Sequence, residues 1–169
     1  MTVRDAHATE IDRLATIWHD GWHESHAPIV PADLTRLRTF ASFRQRLQDA
    51  LAHIRVAGPP GDPVGFAIVK DDELYQLFVS KAARGSGVAA TLIADAESRL
   101  AEAGVGTAWL ACAIGNQGAA RFYEKSGWTR VGTMVNRLET PEGPYLLEVW
   151  RYEKQLTPAG GSVRSAAGG

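Results

Sequence analysis

The sequence predicts one domain of the mixed α/β (α+β) class, with a mixed, mostly antiparallel sheet flanked by helices. Its length supports a single domain, because 169 residues can bury a full hydrophobic core without dividing into two. Its order of elements supports the mixed class, because three predicted strands follow one another over residues 53–79 with no helix between them. A regular parallel sheet would alternate strands with helices instead.

The N-terminal part of the chain predicts a short strand and two helical regions. Met1–Arg4 is the strand, and Thr9 with Asp12 has the spacing of a capping box, which predicts that the first helix begins there. One face of this helix is apolar, carrying Ile11, Leu14, Ile17 and Trp18. Two prolines then interrupt the pattern, and Ala32–Ala50 predicts a second helical region.

The three consecutive strands are His53–Ala57, Val64–Val69 and Glu73–Val79. The segment Gly58–Pro63 is rich in glycine and proline and predicts a turn between the first two strands. The short polar segment Lys70–Asp72 connects the second strand to the third, which predicts a β-hairpin.

The C-terminal half predicts two helices and three further strands. In chain order these are a helix over Val88–Ala103 ended by Gly104, a strand over Thr107–Ala113, a helix over Asn116–Ser126, and strands over Trp128–Val135 and Tyr145–Tyr152. The last segment, Thr157–Gly169, is rich in small residues and predicts a disordered tail. The single domain is therefore expected over residues 1–156, with the tail over residues 157–169.

Composition limits the classes of partner and compartment. The chain is 45% hydrophobic and 22% charged, which is typical of a soluble globular protein. A formal net charge of −1 supplies no field to attract nucleic acid or an anionic membrane, and no apolar run approaches the length of a membrane span. Cys112 is the single cysteine, and no hydrophobic signal segment follows Met1. We therefore expect a cytoplasmic protein without a nucleic-acid or membrane partner.

The segment Arg84–Ala89, with the sequence RGSGVA, lies between a predicted strand and a predicted helix. Glycines there expose backbone N–H groups at the positive end of the helix dipole, which predicts a phosphate or pyrophosphate site, and Arg84 adds a charge suited to phosphate oxygens. A plain connecting turn is the alternative. The glycines also match a dinucleotide fingerprint, but the next strand does not end in the carboxylate that would hold a ribose.

Two motifs resemble the GCN5-related N-acetyltransferase (GNAT) superfamily. Arg84-x-x-Gly87-x-Ala89 resembles its Gln/Arg-x-x-Gly-x-Gly/Ala signature, and Arg84 follows the strand end at Val79 by the spacing of the family. The second motif begins at Asn116 and resembles the N-x-x-A-x-x-x-Y-x-x-x-G-F/W block of the family; its sequence is NQGAARFYEKSGW, ending at Trp128. The resemblance covers about residues 64–131 and implies a GNAT-like fold with two central strands that splay apart.

The resemblance implies acetyl-coenzyme A as the acyl donor and no metal, because a thioester is already activated. The pyrophosphate would bind the N–H groups of the glycine-rich segment, and the pantetheine arm would follow the strand end. Asn116 would contact the arm, cap its helix, or do both. The implied donor-binding residues are Leu77, Phe78, Val79, Arg84, Gly85, Ser86, Gly87, Val88, Ala89, Asn116 and Tyr123.

The resemblance also implies the residues of the chemical step. Tyr123 would protonate the departing thiolate, since its phenol keeps its proton at neutral pH. Glu73 matches the place of a base glutamate in the histone-acetylating branch, and a water relay is the alternative. Alternation along the strand would put Glu73 on the same side of the sheet as Tyr75, Leu77 and Val79. A backbone N–H near the end of that strand would polarise the thioester carbonyl.

Other reactive or aromatic side chains allow more than one interpretation. Trp18 and Trp22 are expected either in the core or in the wall of the acceptor pocket. His19, His23 and His26 do not match the H-E-x-x-H zinc spacing, so we expect surface or pocket-wall histidines and no metal. Cys112 is expected as a small buried residue, although a nucleophile with a histidine partner is an alternative to direct transfer.

These observations predict an enzyme that acetylates a primary amine of a small molecule or amino acid by direct transfer in a ternary complex. A peptide or protein N-acetyltransferase and a non-catalytic acyl-coenzyme A sensor are the alternatives. A homodimer is also expected, formed by the strands between Trp128 and Tyr152 through Leu146, Val149 and Trp150.

Overall fold

Seven strands form one sheet in the computed structural model, which describes residues 2–157. The strands are β1 (Val3–Asp5), β2 (Ile54–Ala57), β3 (Gly65–Lys70), β4 (Glu73–Val79), β5 (Thr107–Ala113), β6 (Thr129–Leu138) and β7 (Tyr145–Gln155). Their order across the sheet is β1-β2-β3-β4-β5-β7-β6, and every neighbouring pair is antiparallel except β4 and β5. The predicted mixed, mostly antiparallel sheet is confirmed. The predicted tail lies almost wholly outside the described residues.

Within residues 2–157, five α-helices cover the two faces of the sheet. They are α1 (Ile11–His26), α2 (Ala32–Leu37), α3 (Phe40–Ala50), α4 (Val88–Glu102) and α5 (Gln117–Lys125). The first core cluster packs residues of α4 and α5 against one face, and the second packs residues of α1, α2 and α3 against the other. Within residues 2–157, no helix is long and apolar enough to cross a membrane.

The spacing of apolar residues explains why α4 lies flat on the sheet. Its buried residues recur every three to four positions and so form one stripe: Val88, Leu92, Ile93, Ala96 and Leu100. Gly65 of β3 lies beneath this stripe, and a side chain there would meet Leu92 Cδ1 at 3.0 Å. The predicted helix is confirmed to within one residue, and Gly104 follows it with a φ of +90°.

The first helix begins differently from the prediction. A 3₁₀ turn over Ala8–Glu10 precedes α1, and the carboxylate of Glu10, not of Asp12, accepts a backbone hydrogen bond from His7 N–H at 2.9 Å. Glu10 also accepts from Gly61 N–H at 2.9 Å and from Arg4 Nη2 at 2.7 Å. The side chain of Glu10 is fully buried, so this one carboxylate joins β1, the start of α1 and the β2–β3 loop.

The predicted second helical region divides into α2 and α3. Arg38 has a φ of −91° and a ψ of 68°, which end the first helix. Thr39 then caps the second, accepting a hydrogen bond from Ser42 N–H at 3.1 Å. Both helices contribute to the second core cluster, beneath α1, and the break between them leaves Arg38 outside either helix.

A β-bulge interrupts β4 at Tyr75. Ile68 of β3 lies opposite Gln76, whereas the next residue, Val69, lies opposite Leu74. Two steps along β4 therefore match one step along β3, and Tyr75 is the extra residue.

The bulge overturns the expected alternation along β4. Tyr75 packs against the core beneath α1 and α3, whereas Leu77 and Val79 pack against the core beneath α4. Glu73 precedes Tyr75 by two residues and shares its side of the sheet. The prediction that all four side chains share one side is wrong, because an inserted residue inverts the facing of everything before it.

The sheet edge at β6 changes the basis for the expected homodimer. Val149 is only 3% exposed and cannot contribute to an exposed surface. Val131, Val135 and Leu146 are 52%, 60% and 59% exposed, and β6 pairs with β7 alone. Dimerisation stays a prediction, with these three side chains in place of Val149.

Glu10 supplies a test of the N-terminal junction. Glu10→Gln is expected to lower the free energy of unfolding at neutral pH by about 2–4 kcal/mol, because a buried carboxylate with several donors loses its charge. Arg4 and two backbone N–H groups hold the pKa of Glu10 down, at about 2. Because this pKa lies below its unfolded value, the stabilisation is complete above about pH 4.3 and is lost as the pH falls towards 2.

Chemical denaturation between pH 2 and 7 measures this effect. Asp12→Asn is the control, since Asp12 is an exposed carboxylate two residues away that pairs with Arg44; it should cost less than about 1 kcal/mol. Equal losses in the two variants would contradict the structural importance of Glu10.

Candidate active site

A cleft opens where the parallel strands β4 and β5 separate. They meet at a single register pair, Glu73 with Trp109, and Trp109 N–H donates to the carbonyl oxygen of Asp72 at 3.2 Å. Beyond this point the strands diverge, and a cavity of about 520 Å³ lies between them. Both strands, α1, α5 and the β6–β7 hairpin contribute to its wall. The splay that the resemblance implied is therefore present.

The divergence leaves backbone groups of β4 unpaired on the cleft side. Ser80 N–H donates to the carbonyl oxygen of Val64 at 2.8 Å, on the side of β3. Because backbone groups alternate in direction along an antiparallel strand, those of Leu77 and Val79 point away from β3 and towards β5. No residue of β5 pairs with them in the described part of the chain. An extended ligand that carries amides can pair with this edge as an added strand would.

The glycine-rich segment ends at the N-terminus of α4. Gly85 and Gly87 have φ values of +81° and +87°, and Gly87 is the N-cap of the helix. Space lies open around both, since a Cβ on either would meet no atom within 4 Å. The hydroxyl of Ser86 donates to the carbonyl oxygen of Ala83. The side chain of Val88 is buried, so only its backbone could contact a ligand at the helix N-terminus. Free N–H groups at an open helix N-terminus fit a phosphate group.

Arg84 lies at the mouth of the cleft but is already paired. Its Nη2 donates to Glu24 Oε1 of α1 at 2.5 Å, and this contact lowers the pKa of Glu24. Both side chains are about half exposed, so the pair is weak and can exchange partners. Arg84 therefore lies at the predicted site, where it forms an ion pair with Glu24 of α1.

Tyr123 of α5 enters the cleft wall beside β5. Burial raises its pKa above the ordinary phenol value. Within residues 2–157, no group hydrogen-bonds to its hydroxyl, so that proton is free for a ligand. Asn116 lines the same wall and caps α5, accepting from Ala119 N–H at 3.3 Å. The capping interpretation of Asn116 is confirmed, and it leaves the amide group at the cleft.

Cys112 is a buried thiol, and within residues 2–157 no histidine hydrogen-bonds to it. It is 4% exposed, and its Sγ contacts the carbonyl oxygens of Ala113 and Asn116 at 3.8 and 3.9 Å. Burial raises the pKa of Cys112 to about 11, so the thiolate is scarce at neutral pH. These observations argue against Cys112 as a nucleophile and for a small core residue.

Glu73 lines the opposite, α1-facing side of the cleft. It is half-buried, and desolvation raises its pKa to about 7, although Lys70 and Arg151 act in the other direction. A carboxylate with a pKa near neutrality can both accept and release a proton under physiological conditions. The bulge at Tyr75 causes this placement, since a regular strand would turn the carboxylate to the other face.

Trp18 and Trp22 satisfy both interpretations that the sequence allowed. They are 1% and 7% exposed and belong to the core, yet both line the cleft. The ring of Trp18 packs on Phe43 and on Phe66, with centroid distances of 4.9 and 5.6 Å. Phe78 of β4 lies beside them, 6.3 Å from Trp18. Trp18, Trp22 and Phe78 form an aromatic floor of the cleft, and Phe43 and Phe66 pack behind it.

The rings of His19 and His23 pack together, with centroids 4.4 Å apart, whereas the ring of His26 packs on Trp22. His19 contacts Asp20 at 3.0 Å, His23 donates from Nε2 to the carbonyl oxygen of Arg38 at 2.6 Å, and His26 stacks on the indole of Trp22. Burial lowers the pKa of His26 to about 4, so it stays neutral. Within residues 2–157 no three His, Cys, Asp or Glu side chains are grouped to hold a metal.

Arg38 and Arg46 are two of the cleft residues that the sequence prediction missed. Arg46 follows Phe43 by three residues and precedes Leu47, so it lies beside the apolar face of its helix. This position of a charged residue beside an apolar helix face was the sequence signal that could have identified Arg46 as a cleft residue. Arg38 carried no comparable signal, because its burial depends on the break between α2 and α3.

Comparison with known proteins agrees with this geometry. The model of the acetyltransferase (GNAT) family matches residues 12–128. An uncharacterized N-acetyltransferase of Mycobacterium tuberculosis is 33% identical over 120 residues, which are 68% of this chain and 74% of the relative. A GCN5-related N-acetyltransferase from Rhodopseudomonas palustris has a similar structure, with a TM-score of 0.71, 22% identity and coverage of 92% of this chain and 95% of that one.

A third similar structure is YncA from Salmonella typhimurium, solved with acetyl-coenzyme A. Its TM-score is 0.63 at 17% identity, and the alignment covers 93% of this chain and 94% of that one. The match to the family spans more than half of the chain, from the start of α1 to Trp128, and includes the glycine-rich segment and Tyr123. This chain is therefore a member of the acetyltransferase (GNAT) family.

Proposed function

We propose that this protein transfers an acetyl group from acetyl-coenzyme A directly to a primary amine of a small molecule or amino acid. The observation that carries the proposal is the continuous path from the unpaired edge of β4 to the open N-terminus of α4. An extended chain of amides that ends in a pyrophosphate is complementary to that path. The acetyl-coenzyme A present in the Salmonella neighbour supports the same donor.

The donor side would be held mainly by backbone groups. N–H groups of residues 84–89 would bind the pyrophosphate, and the edge groups of Leu77 and Val79 would bind the pantetheine arm. One of those N–H groups would also polarise the thioester carbonyl. Arg84 would exchange Glu24 for a phosphate oxygen, at small cost because their ion pair is exposed.

Glu73 would prepare the acceptor for attack. A lysine-like amine has a pKa of about 10.4 and arrives as an ammonium ion, so a proton must leave before nitrogen can attack. The carboxylate of Glu73 lies in the cleft with a pKa near 7, which suits it to take that proton and return it to water.

Tyr123 would complete the transfer from the other wall. The new C–N bond forms as the C–S bond breaks, and the sulfur leaves as a thiolate. Tyr123, whose pKa burial raises, keeps its proton until that moment and can donate it to sulfur. The second proton of the amine leaves with amide formation, and solvent restores the tyrosine. The amide, the free thiol and one released proton balance the reaction.

Direct transfer is favoured over a covalent enzyme intermediate, because the buried thiol of Cys112 is a poor nucleophile. The sensor alternative is less favoured, because a sensor would need neither a base with a pKa near 7 nor a free phenol in the cleft. Peptide acceptors and a cytoplasmic location stay predictions.

Gly87→Glu tests the donor site. The carboxylate would occupy the open space at the helix N-terminus and repel phosphate, so acetyl-coenzyme A binding measured by calorimetry should be lost. Gly104→Glu is the matched control, since it places the same side chain at a similar φ of +90° beyond the other end of α4. The donor assignment fails if the unmodified protein does not bind acetyl-coenzyme A.

Glu73→Gln tests the base through the pH profile. In the unmodified protein kcat/KM should rise through about pH 7 as Glu73 loses its proton, and this inflection should disappear in the variant. Asp71→Asn is the control, since Asn tolerates its φ of 54°. The control should keep the inflection and shift it slightly lower, because the charge of Asp71 helps to raise the pKa of Glu73. An unchanged profile in Glu73→Gln would remove Glu73 from the mechanism.

Tyr123→Phe tests the acid. We expect kcat to fall by about tenfold to a thousandfold with acetyl-coenzyme A affinity preserved, because the phenol acts as the thiolate leaves. Tyr152→Phe removes a nearby hydroxyl, with ring centroids 6.1 Å apart, that hydrogen-bonds to Glu124 outside the cleft. That control should keep its kcat. Steady-state thiol release measures both variants, and an unaltered kcat in Tyr123→Phe excludes it as the acid.

A further inference from the structure

Within residues 2–157, three arginines line the cleft without a carboxylate partner, and two of them, Arg38 and Arg46, are at least partly buried whereas Arg137 is exposed. Arg38 is 2% exposed, and its Nη1 donates to the backbone carbonyl oxygen of Glu139 at 2.6 Å. Arg46 is half-buried, and its Nη2 donates to the hydroxyl of Tyr75 at 2.8 Å. Within residues 2–157, no carboxylate oxygen lies within 4.0 Å of either group. The carboxylate of Glu139 is exposed and acts on Arg38 only at longer range.

One donor of each of these two arginines is buried and unsatisfied. The Nε atoms of both Arg38 and Arg46 are buried and have no hydrogen-bond partner among the described residues. A buried donor without a partner is costly, and a buried charge without a counter-ion more so. Loss of solvation, followed by repulsion from Arg46, lowers the pKa of Arg38 to about 9. The described part of the protein supplies no counter-ion for these two cations, so an anionic ligand could act as one.

Other arginines of the chain show that this arrangement is particular to the cleft. Carboxylates pair with the arginines at the surface, including Arg4, Arg36, Arg44, Arg55, Arg84 and Arg151. Arg36 and Arg44 are close neighbours of the cleft pair in sequence, yet both point to solvent and contact Glu142 and Asp12. Arg99, Arg121 and Arg137 also lack an ion pair, but among the described arginines only Arg38 and Arg46 combine that lack with a buried Nε atom that has no hydrogen-bond partner.

The position of the pair relates it to the acceptor rather than to the donor. Arg38 ends α2, and the guanidinium of Arg46 lies 4.3 Å from the ring centroid of Trp18, so both belong to the α1–α3 side of the sheet. Tyr75, which Arg46 contacts, follows Glu73 by two residues on the same side of β4. The glycine-rich segment lies beyond the other end of that strand. An amine at Glu73 would thus lie in the same compartment as the two arginines.

We propose that the acceptor amine carries a carboxylate group that binds Arg38 and Arg46, so the substrate class is amino acids rather than neutral or polycationic amines. This inference rests on the proposed acetyltransferase function. Guanidinium groups match a carboxylate with two parallel hydrogen bonds, and the aromatic floor limits the water that would screen them. A second cation on the acceptor would meet two positive charges, one buried and one half-buried, and be rejected.

Matched acceptor pairs test the proposal. Each member of a panel of α- and ω-amino acids is compared with its own primary amide, and acetyl-coenzyme A-dependent thiol release is measured. At least one amino acid should react with a kcat/KM about tenfold or more above that of its amide, because the amide leaves buried donors unpaired. Polyamines should react worse than either.

Arginine variants test whether Arg38 and Arg46 cause the preference for a carboxylate over an amide. Arg38→Gln and Arg46→Gln should each reduce the preference for the carboxylate to less than about threefold, mainly through KM. Arg36→Gln and Arg44→Gln remove the same charge from exposed neighbours and should retain it. Arg38→Lys should restore part of the preference, since it keeps the charge but not the fork. Calorimetry with acetyl-coenzyme A shows that each variant is folded.

The outcomes separate this inference from the function on which it rests. Amides or neutral amines that react as well as the amino acids would overturn it, as would a preference that survives both cleft variants. Turnover limited to phosphate-bearing amines or to peptides would also overturn it, while leaving the acetyltransferase intact. Failure of the unmodified protein to bind acetyl-coenzyme A would overturn the function itself.

Discussion

The divergence of β4 and β5 is the constraint on which the rest of the structure depends. Two adjacent parallel strands that stay paired would close the sheet and leave no room for a ligand. Here they meet at one residue pair, Glu73 with Trp109, and then separate. Strands on both outer sides complete the sheet, so its stability does not require the missing pairs. The cost is an unpaired backbone edge, which an extended donor can satisfy.

The bulge at Tyr75 gives the two walls of this cleft different tasks. At the start of β4, up to and including the bulge, Glu73 and Tyr75 face α1 and α3, where the acceptor would bind. After the bulge, Leu77 and Val79 offer backbone groups to the donor. One inserted residue thus allows a single strand to serve both substrates. A regular strand would turn the carboxylate of Glu73 into the core beneath α4.

Desolvation tunes most of the ionisable groups of the site, with different consequences for each. It raises the pKa of Glu73 towards neutrality, keeps Tyr123 protonated and makes Cys112 unreactive. At Arg38 it acts on a cation and lowers its pKa to about 9, at the place where we propose that the carboxylate of the acceptor binds. Glu10 differs from these groups, because the four hydrogen bonds that it accepts lower its pKa by more than burial raises it. Its role is structural.

The sequence by itself determined the family, the sheet class, the glycine-rich segment and nearly every helix and strand, because these depend on local spacing and on short motifs such as that from Arg84 to Ala89. It also placed Tyr123, Asn116 and the two tryptophans at the cleft. Tertiary structure alone decided the facing of Glu73, the ion pair of Arg84 with Glu24 and the burial of Arg38 and Arg46. Each of these depends on register or on contacts between residues distant in sequence, and the chain carries no local pattern for a one-residue bulge or for the break between α2 and α3.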